Sequence, residues 1–246
     1  HRDLHSFPTR RSSDLLKGSL KAEGGRFGST SLDRLLVQLN GPLSDHSLTV
    51  EGRNTDITAA MTVQGQLIAA AWQGTIRQLS FADRHFGSWQ MRQPAALSVS
   101  SAQCELKPVC LNGPRSARLC AAGSWKAEAP WHIHGELAAF ALDSLNTPLN
   151  LPWPVEGQLN AILDLHGLHA GITTGSLHAD SAGMTMRLPV DQGHGIQQLQ
   201  WTKNALRVDY ATGELHLVVD NELADGSHLR ADFTQVNPNP LASSLM

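Results

Sequence analysis

Tyrosine is almost missing from this chain, with one residue against six tryptophans. Charge is thin as well. Only 17% of residues are charged and the net is −3, so no basic stripe exists to neutralise a phosphate backbone, and no nucleic-acid partner is expected. No apolar run approaches the roughly 18 residues that a helix needs to cross a bilayer, and no signal peptide is visible. No membrane span is therefore expected here, and the chain, which does not begin with Met, reads as a piece of a longer protein. There is no P-loop, no Rossmann fingerprint and no G-x-S-x-G, so no cofactor and no catalytic centre is predicted. His132 and His134 alternate onto one polar face, but no further ligand follows at a metal-site spacing.

What the sequence has in quantity is alternation. From Val155 to Gly167, residues Val155, Gly157, Leu159, Ala161, Leu163 and Leu165 fall on one face of a strand. Glu156, Gln158, Asn160, Asp164 and His166 fall on the other, with Ile162 the apolar exception. The V-x-G-x-L core of this stretch recurs at Val63-Gly65-Leu67 and, with Ile for Val, at Ile133-Gly135-Leu137. A shorter G-x-L recurs at Gly175-Leu177 and Gly213-Leu215. Glycine on the apolar face of a strand loses packing area, so it marks a bend or a close approach to the backbone.

The same pattern runs through most of the chain. Residues 1–17 begin with a stretch that resembles translated adapter sequence; they are set aside, the alternative being a disordered tail. Residues 18–146 form a first β segment, and Thr147–Pro154, with three prolines in eight residues, read as a connector. Residues 155–236 continue the pattern, and 237–246 are a tail. Parity slips at Trp72-Gly74-Ile76 and again at Leu79-Phe81 predict bulges, and Pro94 predicts an edge or a break. Two strands broken at Pro130 are expected between Gly123 and Leu145, and Gly193-His194-Gly195 reads as a flexible break. Leu32, Leu35, Leu36 and Leu39 would also suit a short helix. Cys110 and Cys120 flank the turn signal Asn112-Gly113-Pro114, so their arms either pair and form a disulfide or keep buried free thiols.

The expected fold is all-β, an elongated, curled sheet of many short antiparallel or stacked strands. Such a sheet closes into a barrel, folds into a sandwich or curls into a trough. Its apolar face carries many small residues, so it either meets large side chains and fills, or stays open to an apolar guest. The residues predicted to line an open groove are Val63, Leu67, Ile133, Leu137, Val155, Leu159, Leu163, Leu177, Leu215 and Leu217. Gly65, Gly135, Gly157 and Gly213 are predicted to let the sheet curve around it. An outer-membrane barrel, a β-solenoid or adhesin-like module with a filled core, and a hidden carboxylate pair of the glycosidase type are the alternatives. The scarcity of Tyr and the prolines at Pro94, Pro130 and Pro154 argue against the barrel.

A family resemblance enters between Phe86 and Leu145. Trp72-x-Gly74, Gly87-Ser88-Trp89 ahead of Pro94-Ala95, Cys110-Leu111 with Leu119-Cys120, the Leu-rich strand ending at Leu145, and the V-E-G-x-L restart at Val155 resemble the TamB family. These are AsmA-like proteins of Gram-negative envelopes, and the likeness extends from Gly18 to Phe233. It implies a periplasmic β-groove segment of a protein anchored in the inner membrane. It further implies phospholipid acyl chains as cargo or a role in outer-membrane protein assembly. A TamA-like partner of the Omp85 type would be met through a region beyond this chain.

Overall fold

Alternation becomes strand almost everywhere in the computed structural model, which describes residues 15–27, 30–168, 171–189, 196–211 and 213–236. Fifteen strands follow one another: β1 (Leu15–Phe27), β2 (Thr30–Pro42), β3 (His46–Arg53), β4 (Ile57–Ile68), β5 (Ala71–Asp83), β6 (Gly87–Met91), β7 (Ala95–Val99) and β8 (Gln103–Asn112). After these come β9 (Arg118–Lys126), β10 (Ala129–Ala141), β11 (Val155–Leu168), β12 (Gly171–Pro189), β13 (Ile196–Ala211), β14 (Glu214–Leu223) and β15 (His228–Val236). They make one antiparallel sheet in chain order, apart from β6 and β7, which share the space between β5 and β8. Helical structure among the described residues is limited to two 3-10 turns, at Pro114–Ser116 and Leu142–Leu145.

Each irregularity has a sequence cause. The second parity slip, before Leu79-Phe81, is a bulge at Arg77, because Thr62 pairs with Gln78 while Val63 pairs with Ile76; the first, before Trp72, is no bulge but the turn between β4 and β5. Pro94, which has no N–H to give a ladder, lies in the interruption that separates β6 from β7. Ala69 and Ala70 both take positive φ, 45° and 65°, and close the β4–β5 hairpin in two residues whose twist matches the strands.

Some expectations shift. The helical reading of Leu32 to Leu39 is replaced by strand β2, which places Leu35, Val37 and Leu39 on one face and Leu32 and Leu36 on the other. Apolar residues on both faces are what made a helix fit equally well. The break expected at Pro130 falls earlier, at residues 127–128, and Pro130 sits in a register shift near the start of β10. Gly175 to Ala179 and Met184 to Val190 read as separate pieces, yet Gly171–Pro189 is one strand of 19 residues. Leu15 to Lys17, placed with the terminal stretch, open β1 and pair with Asn40 to Pro42. Residues 147–154 run as turns and bends between β10 and β11, and these two strands pair directly, so the sheet continues past the prolines. Gly193-His194-Gly195 and the residues after Val236 lie outside the described residues.

Candidate functional site

Pairing register carries facing from strand to strand, because partners in an antiparallel ladder point the same way. Followed through the ladders, most of the apolar residues of the fifteen strands share one face, with Leu32, Leu36 and Ile162 among the exceptions. Across β11 to β15 this gives the row Leu163, Leu177, Val208, Leu217 and Phe233. Across β9 to β11 it gives Gly123, Ile133 and Leu165, and next to them Leu119, Leu137 and Ala161. All ten residues named from the sequence lie on this face. Val63 stands beside Ile76, Leu67 beside Trp72, Val155 beside Met186, Leu159 beside Ser181, and Leu215 beside Tyr210.

This face is the concave one. Trp89 of β6 stacks between Phe81 of β5 and Phe140 of β10, with ring centroids 6.1 and 6.4 Å apart. Strands β8 and β9 lie between β6 and β10 in the sheet, so rings on β6 and β10 meet only if the sheet curls toward them. Leu111, Ala117 and Leu137 complete that cluster, and Val63, Ile76, Ala95 and Val109 form a second one beside it. Trp89 is 3% exposed and its Nε1 donates to the Phe86 carbonyl at 3.0 Å, so the one polar atom of the ring is satisfied.

The trough is thus filled in one part and open in another. Among the described residues, the buried apolar side chains all come from residues 63–120. Across β11 to β14 the inward Leu159, Leu163, Leu177, Leu215 and Leu217 are only half-buried, and at the edge Phe233 is 54% exposed. Leu67 and Ile133 are 46% and 45% exposed. The ten predicted lining residues therefore share a face but not one uninterrupted surface, because the aromatic plug stands between β4 and β10. Of the anchors, Trp89 and Leu111 entered the sequence reading only as parts of the family motifs, and Phe140 was not singled out. Their contact joins residues about fifty apart, which no local pattern encodes.

Three of the four glycines expected to bend the sheet act otherwise. A side chain on Gly65 would meet the Trp72 ring, which lies over Gly65 and its partner Gly74; Trp131 covers Gly167 in the same way. Here glycine makes room for an indole on the concave face. Gly135 makes ordinary contact with Leu163. Gly157, at φ 130° and opposite a β12 bulge, does occupy a bend that other residues resist. Gly213 has φ 85° and precedes β14, so it shapes a turn.

The inner wall is not wholly apolar. Ser181, Asn204 and Asn221 are successive register partners and form a polar row across β12, β13 and β14. Asn204 Nδ2 is buried and has no hydrogen-bond partner.

The outer face is polar and densely paired. Asp164 Oδ1 accepts from His134 Nδ1 at 2.8 Å and His132 Nε2 at 3.2 Å, and the His132 ring stacks on His166 at 4.3 Å. An ionised carboxylate only accepts, so both histidines carry their proton on the nitrogen facing it. Among the described residues no group of three or more His, Cys, Asp or Glu could hold a metal ion. Hydrogen bonding from His134 is the largest influence on the Asp164 carboxyl and holds it below its ordinary range; partial burial opposes this, and His132 adds to it. A depressed carboxyl stabilises the fold above its unfolded value, about 3.9, and that contribution is lost as pH falls through the folded value. With 35% of the side chain exposed, solvent screening keeps the effect within about 1 kcal/mol. Urea unfolding of wild type and Asp164→Asn should accordingly differ by up to about 1 kcal/mol at pH 7, and the gap should begin to close below about pH 4. A gap that widens on acidification would contradict this linkage.

On the same outer face, Cys110 and Cys120 are direct cross-strand partners and form a disulfide, with Cα atoms 4.1 Å apart. Cys104 stays free and points to the inner face opposite Trp125.

Comparison with known proteins adds one finding. The family described as TamB, N-terminal domain, matches residues 11–243, a span that begins inside the stretch set aside at the N-terminus. No curated protein and no solved structure matches the chain.

Proposed function

This chain belongs to the TamB N-terminal domain family, and from that premise we propose that its open concave wall holds phospholipid acyl chains in the periplasm of a Gram-negative envelope. It would act as one segment of a trough between the two membranes. The observation that carries the reading is the half-buried leucine ladder across β11 to β14, an apolar strip that the chain's own side chains do not cover. Each acyl CH₂ removed from water there is worth about 0.8 kcal/mol, so a chain of moderate length is held without any specific hydrogen bond. The row Ser181, Asn204 and Asn221 crosses the same wall and would lie beside the polar head of such a chain. A full-length protein would anchor in the inner membrane and meet a TamA-like Omp85 protein through a region beyond these residues, in phospholipid passage or outer-membrane protein assembly.

A purely structural shaft is the second reading, and the filled segment around Trp89 favours it. Native mass spectrometry of the purified chain, with lipid extraction, separates the two. Bound phospholipid retained through detergent-free purification is the expected result. An apo mass in repeated preparations would leave the shaft.

A further inference from the structure

One feature of the outer face is unrelated to lipid. Arg118, two residues before Cys120 on β9, aims its guanidinium at the disulfide itself: Nε donates to Cys120 Sγ at 3.1 Å and Nη2 to Cys110 Sγ at 3.4 Å. A structural disulfide in an apolar core has no such cation, whereas a guanidinium beside sulfur favours the thiolate, the species that attacks and leaves in disulfide exchange. The two sulfurs also differ in access, since Cys120 is buried at 6% exposure and Cys110 is half-buried.

We propose that the Cys110–Cys120 bond is a thiol-exchange site, opened by a dithiol reductant that attacks Cys110 Sγ while Arg118 holds the departing Cys120 thiolate. The attacking thiolate forms a bond to Cys110 Sγ, the Cys110–Cys120 bond breaks, and its electron pair stays on Cys120 Sγ beside Arg118 Nε. The second thiol of the reductant, as thiolate, then attacks its own sulfur in the mixed disulfide. Cys110 leaves as a thiolate and takes a proton from water, and the reductant ends as a disulfide, two electrons having passed to the protein. Arg118 is a positioning residue in this scheme. Glu136, the cross-strand partner of Cys120 on β10, carries the opposing charge. Leu111 and Leu119, adjacent to the two cysteines and paired with each other, turn to the concave side, so the bond ties together the strands that back the aromatic plug.

The test is the rate at which the full chain is reduced by dithiothreitol at pH 7, followed by quenching and alkylation. An opposite charge in contact with a leaving thiol typically lowers its pKa by one unit or more, so Arg118→Met should be reduced about tenfold more slowly. Arg118→Lys should recover part of the rate and Glu136→Gln should exceed wild type. Glutathione, a monothiol, has no second thiol of its own to release it, so acid quenching early in the reaction should trap the mixed disulfide, and peptide mapping should find it on Cys110. In the reduced wild type, thiolate absorbance should appear at lower pH than in Arg118→Met. Should Arg118→Met fail to fold, salt provides the second measurement, because 1 M NaCl should slow reduction of the wild type by this neutral dithiol. Equal rates with and without Arg118, no salt dependence, or glutathione found on Cys120 would each overturn the proposal.

Discussion

Leu163→Arg is expected to abolish phospholipid capture by the concave wall, at least a hundredfold, while Leu159→Ala lowers it less than about fivefold. Leu163 stands in the middle of the open ladder, opposite Leu177 and beside Gly135. A guanidinium there faces acyl chain with no carboxylate partner on the wall, and a buried unpaired charge costs several kcal/mol, more than a few methylene contacts contribute. Alanine at 159 only removes a share of dispersed contacts, and no single residue should be essential to a wall of this kind. Photocrosslinkers placed at Leu177 in each variant, with phospholipid vesicles as the source, measure capture directly. Urea unfolding must be read beside it. The half-buried leucine of an open wall should lose less on truncation than the roughly 2–5 kcal/mol of a filled core. If Leu159→Ala costs that much and no crosslinker captures lipid, the wall is a core and the proposed conduit fails.

Trp89→Ala should be the most destabilising single change, by about 3–5 kcal/mol of unfolding free energy. The indole is the least accessible large side chain among the described residues and touches Phe81, Leu111 and Phe140 from three strands. Its removal leaves a void that the surrounding strands, held in place by their ladders, cannot readily close. The Nε1–Phe86 hydrogen bond is lost as well, leaving that carbonyl without its indole donor. By contrast, Phe233→Ala, on the exposed edge strand, should cost little, because its ring already faces water. Comparable losses at the two positions would show that the burial gradient along the trough does not govern stability. The same pair is informative for lipid: Trp89→Ala should let the open part of the trough extend toward β4.

The strands and their inner faces were legible from residues alone because a strand repeats every two residues and this chain keeps that period across most of its length. Val155 to Gly167 fixes one face of β11 without any partner, and the other strands repeat its pattern, so all ten proposed lining residues fall on one side of the sheet. The cysteine pair was half legible. Its turn signal brought the arms together, but the register that sets Cys110 opposite Cys120, and the guanidinium that donates to both sulfurs, belong to the folded hairpin. What only the tertiary structure decided is where the trough is full. Leu137 and Leu163 look alike in sequence, yet Leu137 packs into the aromatic cluster while Leu163 stays on the open wall. Burial at such positions depends on which distant strand the curl brings overhead, and the bulges that bend the strands, at Arg77, at Ala139 and on β12 opposite Gly157 among others, lie far apart in the chain. Period-two alternation records the side a residue faces; it holds no record of what stands across the trough.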